Sequence, residues 1–245
     1  MSTTTTQSVL LSEQIARMVG GGTSTDQALV LPGPSLAVAP TTIASRFKRA
    51  IDFSASALGL VLLAPLMLVI AAAVRLSSPG PVFFRQLRLG RGGEPFYVLK
   101  FRTMVADAER RLSDLESHNE AAGGVLFKIR RDPRVTPLGR FLRRSSLDEL
   151  PQLINVLRGE MSLVGPRPLQ LRDSYRLEAL DSEAFNRRLS VMPGITGPWQ
   201  IGGRSDGTEG MVHQDLDYIA NWSLSADLKI LILTIPAVLC ARGAC

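Results

Sequence analysis

Cysteine, histidine and aromatic residues are scarce in this chain of 245 residues. Its two cysteines, Cys240 and Cys245, both lie at the C-terminal end, so no disulfide framework is expected and a reducing compartment fits best. Its two histidines, His118 and His213, are far apart and have no neighbouring cysteine, which argues against a zinc site. Aromatic residues make up only 6% of the chain. They offer few stacking platforms for nucleic acid, and no DNA- or RNA-binding motif is recognisable.

Acidic residues are also in the minority, with 22 acidic against 28 basic side chains. This excess of positive charge suits an anionic partner such as a lipid headgroup or a nucleotide. Hydrophobic residues make up 45% of the chain, which indicates contact with a membrane. Residues 1–45 are rich in Thr, Ser, Gly and Pro. They lack the pattern of a signal peptide, and we predict a mostly disordered N-terminal tail.

One apolar segment is long enough for a membrane. Residues 53–74 contain no ionisable side chain, and about 20 such residues cross the core of a bilayer as a helix. Pro65 lies near the middle, where proline removes a backbone hydrogen bond and breaks or kinks a helix. Basic residues flank both ends, and positive charge favours the cytoplasmic side. We therefore predict a re-entrant membrane helix over residues 46–76, broken at Pro65. A transmembrane helix with a kink at Pro65 is the alternative.

Residues 77–245 are expected to form a cytosolic catalytic domain with interfacial helices, in an α+β fold that is mostly helical. Short alternating apolar runs around the glycine-rich turn GRGG predict a small β-hairpin. Helices are predicted over residues 104–120, from Ser146 to Leu157, over 170–190 and over 214–224, and a Gly/Pro-rich loop over 192–207. The apolar segment 227–240 is short for a membrane span and is expected to dock on the membrane surface or on the core.

Two adjacent acids, Asp148 and Glu149, are the first candidates for chemistry. Ser146 and Glu149 fit a capping box, and in an alternative register Asp148 is the N-cap and Pro151 lies in the first turn. Either register places both carboxylates at the positive end of a helix, which favours their ionised form. An ionised aspartate can attack phosphorus or bind Mg²⁺. A helix cap with surface salt bridges would explain the same residues without any chemistry.

The neighbouring cations favour a phosphate site. Residues 127–144 are strongly basic, and the prolines of Pro-Arg-Pro restrict the backbone around Arg167. Lys100 and Arg102 lie on a predicted strand, on which alternate side chains share a face. Two acids among converging cations, close to a membrane segment, suggest that a diphosphate substrate and a lipid substrate meet at the membrane surface.

The order of these segments resembles the monotopic phosphoglycosyl transferases, the bacterial sugar transferases that start glycoconjugate assembly. The resemblance rests on KRAIDF before the Pro-containing apolar segment, then GPVFFRQLRLG, KFRTM, DPRVTPLGRFLRRSSLDELPQLINVLRGEMSLVGPRP, PGITGPWQIGGR and D-x-x-Y. It covers about residues 46–245. The C-terminal sequence is similar to that of short members that initiate exopolysaccharide synthesis with hexose 1-phosphate. Thr103, where serine is frequent, and Pro198 are expected to be mild departures.

The resemblance implies a two-step transfer of galactose or glucose 1-phosphate. Asp148 matches the family's nucleophile, which attacks the sugar-linked phosphate of a UDP-sugar, releases UMP and retains the phosphosugar covalently. Undecaprenyl phosphate then accepts the phosphosugar. Glu149 matches the second acid, which supports Mg²⁺ binding or handles a proton. The expected phosphate-binding cations are Lys100, Arg102, Arg167 and one of Arg143 and Arg144, while Arg204 is either a further contact or part of a structural turn.

The expected location is the cytoplasmic face of the bacterial inner membrane. The partners implied are UDP-hexose, undecaprenyl phosphate, membrane lipids and downstream glycosyltransferases. No nucleic acid is expected, and the resemblance is compatible with a homodimer. A non-catalytic membrane-bound scaffold of a polysaccharide assembly complex is the alternative. The intact acid pair, Pro-Arg-Pro and Lys-Phe-Arg sequences argue against it.

Overall fold

The computed structural model describes residues 43–108, 111, 129, 132–202 and 207–239. Three predictions therefore lie wholly or mostly outside the described residues. They are the disordered tail over 1–45, the charged helix over 104–120 and the placement of Arg204.

The apolar segment forms helix α1, Ile43–Ser77, which continues without interruption through Pro65. Within the described ranges it is the one helix long and apolar enough to cross a membrane. Its middle is strongly exposed, as the side chains of Val61 (72%) and Leu68 (71%) show. Apolar side chains that find no protein partner are typical of a surface that faces lipid or another partner. The predicted break at Pro65 is not seen as an interruption of the helix.

Polar contacts attach the first turns of α1 to the rest of the protein. Lys48 Nζ lies 2.5 Å from Asp227 Oδ2, and Asp52 Oδ2 accepts a hydrogen bond of 2.7 Å from Ser162 Oγ. Arg49 binds the C-terminal carbonyls of a later helix, with 2.6 Å to Val156 O. Cations favour such helix ends because the last carbonyls lack partners within the helix.

The opposite end of α1 packs against the same folded unit. A hydrophobic cluster buries Ile70 and Val74 of α1 together with Phe101 and Leu142. Arg102 Nη2 donates to Ser78 O at 2.6 Å, just beyond the last turn. Both ends of α1 therefore contact the domain that carries the candidate site.

The predicted β-hairpin is present. Strands β1, Phe83–Leu89, and β2, Pro95–Phe101, pair antiparallel with Phe84 opposite Lys100. The connection is a short 3₁₀ turn at Arg91–Gly93, in which Gly92 (φ 73°) and Gly93 (φ 79°) adopt the left-handed conformation that glycine allows without steric cost. The hairpin places Lys100 near the end of β2.

Two short helices flank the acid pair, one before it in the chain and one after it. Helix α2, Pro137–Arg144, begins at Thr136, whose side chain accepts from Gly139 N. A side chain at Gly139 would collide with the backbone of Thr103, so glycine allows α2 to lie directly against the chain after β2. Helix α3, Gln152–Arg158, ends one residue beyond the predicted end at Leu157, and the left-handed Gly159 (φ 85°) follows it.

Buried Asn155 fastens α3 to the hairpin. Its Oδ1 accepts from Leu99 N at 3.0 Å, and its Nδ2 donates to Tyr97 O at 2.7 Å and to Glu160 Oε2 at 2.6 Å. Because both backbone partners lie on β2, the side chain sets the register between the hairpin and the segment that carries the acids.

The C-terminal half is helical around a second small sheet. Its elements are β3, Ser162–Val164; α4, Leu171–Leu180; α5, Ser182–Leu189; β4, Gly194–Thr196; α6, Pro198–Ile201; α7, Gly207–Ala220; and α8, Leu224–Leu239. Strands β3 and β4 pair in parallel. The α+β, mostly helical class is confirmed.

Four sequence-based boundaries are corrected. The helix predicted from Ser146 to Leu157 begins only at Gln152, as α3, and a separate 3₁₀ turn, Leu147–Glu149, precedes it. The helix predicted over 170–190 is two helices, because Asp181 ends α4 and caps α5 by accepting from Ala184 N. The loop predicted over 192–207 contains β4 and α6. The helix predicted over 214–224 begins at Gly207 and ends at Ala220. Short Gly- and Pro-containing elements were missed because tertiary packing overrides their low local propensity.

Candidate active site

A cleft of about 830 Å³ lies between the hairpin, α2 and the turn that carries the acid pair. Its lining is rich in charge. The cations in its wall are Arg85, Arg88, Lys100, Arg102, Arg134, Arg143 and Arg167, and the acids are Asp148 and Glu149. A concave site with this excess of positive charge suits a ligand that carries several phosphate charges.

The acids lie on a 3₁₀ turn, Leu147–Glu149, and neither predicted capping arrangement is correct. Ser146 adopts a left-handed backbone (φ 53°), and its side chain caps no helix. The residue before α3 is Pro151, which also provides no side-chain cap. Left-handed residues other than glycine are uncommon and concentrate at functional sites. The turn therefore projects the acids into the cleft ahead of α3.

Asp148 is a buried carboxylate with 7% of its surface exposed. Burial raises the pKa of Asp148, an effect that the nearby positive charge of Lys100 opposes and the negative charge of Glu149 reinforces. The acids lie on a separate 3₁₀ turn rather than at the end of a longer helix, and desolvation outweighs the effect of the nearby positive charges on Asp148. No side chain among the described residues donates a hydrogen bond to Asp148. Its carboxylate is left open to the cleft.

Glu149 joins the cations on the two sides of the cleft. Its Oε1 accepts from Lys100 Nζ at 2.6 Å and from Arg167 Nη2 at 2.9 Å. The negative charge of Glu149 raises the pKa of the Arg167 guanidinium. Burial lowers the pKa of Lys100, and Glu149 counteracts that effect. Glu149 thus orders the two cations beside Asp148.

Two buried arginines hold the Pro-Arg-Pro backbone, and sequence reasoning missed both as site residues. Arg188 Nη2 donates to Arg167 O at 2.8 Å, and Arg88 Nη1 donates to Pro168 O at 3.0 Å. Burial and the neighbouring Arg167 charge lower the pKa of Arg88 to about 9. Arg88 follows Gln86 and Phe84 on one face of β1, and this alternation was the available signal. The sequence contained no corresponding signal for Arg188, because helix α5 carries several charges on its surface.

The remaining predicted cations lie in different surroundings in the structure. Arg143 lies in the cleft, where its Nε donates to Thr103 Oγ1 at 2.9 Å, and burial lowers its pKa. Arg144 is exposed and lines a neighbouring cavity. Arg102 lines the cleft, but its Nη2 is bound to Ser78 at the end of α1.

The acid pair is compatible with a magnesium ion. The described residues contain no group of three or more His, Cys, Asp or Glu side chains arranged to hold a metal. Mg²⁺, however, needs only one or two carboxylates when substrate phosphates provide further oxygens. The carboxylates of Asp148 and Glu149 offer such oxygens at the wall of a cationic cleft.

Comparison with known proteins shows to which family the chain belongs. The model of a family described as bacterial sugar transferase matches residues 43–241. The chain belongs to this family. The match confirms the resemblance seen in the sequence motifs, and the chain is an enzyme of the sugar-transferase family.

Several relatives are similar over most of the chain. Exopolysaccharide production protein ExoY of Rhizobium meliloti is 45% identical over 217 residues, 87% of this chain and 93% of the relative. UDP-glucose:undecaprenyl-phosphate glucose-1-phosphate transferase of Caulobacter vibrioides is 43% identical over 230 residues, 91% and 80% of the two chains. Galactosyl transferase CpsE of Streptococcus agalactiae is 42% identical over 199 residues, 80% of this chain but 43% of the relative.

Proposed function

We propose that this sugar transferase moves hexose 1-phosphate from a UDP-hexose to undecaprenyl phosphate, releasing UMP at the start of exopolysaccharide assembly. The observation that carries the proposal is the open carboxylate of Asp148 in a cleft whose cations are ordered by Glu149. The names of the Caulobacter relative and of ExoY support the acceptor and the pathway.

In the first step, an ionised oxygen of Asp148 attacks the phosphorus of the sugar-linked phosphate. The bond between that phosphorus and the oxygen bridging to UMP breaks, and UMP leaves with the bridging oxygen and its electron pair. The hexose 1-phosphate stays on Asp148 as an acyl phosphate. Lys100, Arg143 and Arg167 stabilise the charge that moves to the leaving phosphate.

In the second step, an oxygen of undecaprenyl phosphate attacks the same phosphorus. The bond from phosphorus to Asp148 breaks, the carboxylate is restored and the polyprenyl diphosphate hexose leaves. Splitting the transfer in this way allows a water-soluble nucleotide and a membrane lipid to use one nucleophile in turn.

Asp148 and Glu149 would hold Mg²⁺, which supplies positive charge to the phosphate oxygens when bound. Glu149 has a second role in this proposal, because it keeps Lys100 and Arg167 directed at the cleft. Both roles need its ionised form, so Glu149→Gln should impair the release of UMP.

We also propose that α1 enters the inner membrane from the cytoplasmic face and returns to it, with a bend at Pro65. The attachment points Asp52 and Val74 are about 33 Å apart along a helix, similar to the thickness of a bilayer core. A straight span would place them on opposite sides, yet one folded unit contacts both. Arg46→Cys and Pro79→Cys, in a chain without its two natural cysteines, test this by labelling with an impermeant maleimide. Labelling from opposite sides would establish a transmembrane span.

We propose galactose or glucose as the hexose, with an acetamido sugar as the less favoured alternative. The relatives support both, since the Caulobacter protein is named for glucose and CpsE for galactose. Release of UMP from a panel of UDP-sugars, measured with the purified membrane protein, identifies the donor. A donor that supports continuous, multiple-turnover UMP release but no transfer to lipid would identify hydrolysis rather than synthesis.

The decisive variant is Asp148→Asn, which keeps the shape but removes the nucleophile. We expect no UMP release, no covalent phosphosugar and no lipid product, with the protein still in the membrane. Asp217→Asn, an exposed position on α7, is the matched control and should retain activity. Normal turnover by Asp148→Asn would refute the proposal.

A further inference from the structure

A second cavity of about 260 Å³ adjoins the active-site cleft. It lies between α8, α3 and α6, and most of its wall is aliphatic. The side chains that form its interior are Leu150, Leu153, Ile195, Ile201, Ala237 and Val238. Apolar cavities with a few polar groups at one edge are typical of ligand sites.

The polar edge of this cavity is the wall it shares with the cleft. Ser146 and Glu149 line both spaces, and Arg144 lies at the edge of the second cavity only. A ligand in the apolar interior would therefore meet a cation and the acid-bearing turn at one end. An amphipathic molecule with a phosphate head fits this order of surfaces.

The interior has few groups that would bind a nucleoside, and the one buried side-chain polar atom of its wall without a hydrogen-bond partner among the described residues is Oε1 of Gln200. Among the residues that the structure describes, no aromatic side chain lines it on which a base could stack. The hydroxyl groups of Thr196 and Thr234 bond to each other at 2.8 Å, and Thr234 also donates to Ile230 O at 2.8 Å. These hydroxyls are used within the fold, so they do not select a base.

The far side of the cavity wall is an exposed apolar surface. Helix α8 contributes Thr234, Ala237 and Val238 to the cavity. It also exposes Leu228 (59%), Ile232 (58%) and Ile235 (62%). Residues at this spacing lie on one face of a helix. An apolar chain could thus pass from lipid along α8 into the cavity without crossing water.

We propose that this second cavity holds the phosphate-proximal isoprene units of the lipid acceptor. The acceptor phosphate lies at the edge formed by Arg144 and Ser146, next to Asp148. The inference rests on the proposed function, and it locates the acceptor outside the cationic cleft. The volume equals about nine water molecules of ~30 Å³ each. It therefore suits the first isoprene units, while the remainder of the chain stays in the bilayer.

Photolabelling tests the location directly. Farnesyl phosphate with a diazirine on its second isoprene unit is added to the full-length protein in nanodiscs, and labelled peptides are identified by mass spectrometry. We expect labels on Ala237 or Val238, with competition by undecaprenyl phosphate and none by UMP. Labels confined to α1, or competition by UMP alone, would overturn the assignment.

Filling the cavity provides the functional test. Ala237→Trp should lower transfer to undecaprenyl phosphate about tenfold or more, corresponding to ~1.4 kcal/mol per factor of ten. Leu233→Trp, which adds a similar ring at an exposed position of the same helix outside both the cavity wall and the exposed apolar face, is the control and should transfer normally. A single-turnover burst of UMP release without acceptor reports whether the Ala237→Trp protein is folded and competent for the first step.

The outcomes separate the two proposals. If the unmodified protein gives no burst of UMP with any UDP-hexose, the proposed function fails. If it gives the burst and Ala237→Trp transfers to undecaprenyl phosphate at the normal rate, the proposed function stands and the acceptor site is wrong. A burst with loss of transfer in Ala237→Trp alone supports the second cavity as the acceptor site.

Discussion

Arg188 donates through Nη2 to the main-chain carbonyl of Arg167 at 2.8 Å. The same nitrogen lies 3.0 Å from Oδ2 of Asp215, a fully buried side chain on α7. Arg167 in turn donates to Glu149 in the cleft. The direction of a cleft cation is therefore set by an ion pair between two helices, α5 and α7. Arg188 is a positioning residue, since it contacts the backbone of Arg167 rather than the cleft.

Arg188→Met should weaken nucleotide-sugar binding. Loss of one partner of a buried ion pair destabilises a protein by about 3–5 kcal/mol, and Arg167 would lose its fixed backbone. We expect KM for the UDP-sugar to rise about tenfold, with a smaller effect on kcat, in steady-state assays of UMP release. Arg188→Lys should recover part of the KM effect. Arg187→Met, at the exposed neighbouring position, is the control.

A purely structural role would give a different pattern. It would lower the amount of folded enzyme and leave KM unchanged in Arg188→Met. That result would contradict the positioning role.

Asp148→Asn should unfold no more easily than the unmodified protein at pH 7. Burial raises the pKa of Asp148, so the folded protein binds a proton at this position more tightly than the unfolded chain does. The free energy of unfolding therefore falls as pH rises from the ordinary value of 3.8 through the raised pKa of the folded state. Asparagine removes that loss. Thermal unfolding in detergent at pH 7 and at pH 4 measures the difference in stability between Asp148→Asn and the unmodified protein. The variant should be more stable by a smaller amount at the lower pH.

The same raised pKa predicts the pH dependence of the first step. Only ionised Asp148 attacks phosphorus, so the single-turnover burst of UMP should decline as pH falls through a pKa above 3.8. Bound Mg²⁺ should move this decline to lower pH, because a cation favours the carboxylate. A burst rate that stays constant down to pH 4 would contradict the raised pKa.

The features that the sequence predicts correctly each depend on a local pattern. The hairpin follows from alternation around a glycine-rich turn, and the long helix follows from apolar residues 53–74. The acids and Arg167 line one cleft, as the basic segments around the acids suggested. The predicted capping box is not formed. The sequence did not reveal that Ser146 adopts a left-handed backbone, and a proline at position 151 is compatible with several turn geometries.

The supporting contacts of the site are not predictable from local patterns. Asn155 reaches Tyr97 and Leu99 across more than 50 positions, and Arg188 reaches Arg167 from another helix. Periodicity describes which face of an element is buried. It carries no information on which distant backbone group a buried polar side chain satisfies.

Asn155→Leu should detach α3 from the hairpin. Leucine has a similar size, but it leaves the buried Leu99 N and the partly buried Tyr97 O without their side-chain partner. Unsatisfied buried groups cost about 1–3 kcal/mol each, so we expect a loss of at least ~2 kcal/mol in the free energy of unfolding. UMP release should fall as well, because Lys100 follows Leu99 on β2. Asn221→Leu, at an exposed position on the surface, should have little effect in the same thermal and kinetic assays.

Ser146→Gly and Ser145→Gly should have opposite effects on stability. Ser146 has φ 53°, a conformation that costs an L-residue about 1–2 kcal/mol and glycine almost nothing. Glycine loses about 0.5–1 kcal/mol through backbone entropy, so Ser146→Gly should be neutral or up to ~1.5 kcal/mol more stable. Ser145 has φ −93°, and its Oγ donates to Phe141 O at 2.9 Å.

Ser145→Gly relieves no backbone strain and loses that hydrogen bond, so this variant should be less stable than the unmodified protein by about 1 kcal/mol. Ser146→Gly should nevertheless slow the UMP burst, because a glycine at this position allows the turn carrying Asp148 to sample other orientations before it attacks phosphorus. Thermal unfolding and single-turnover assays of the two variants provide the comparison. If Ser146→Gly is the less stable of the two, the left-handed turn is not strained. If it is also as fast as the unmodified protein, the turn does not fix the nucleophile.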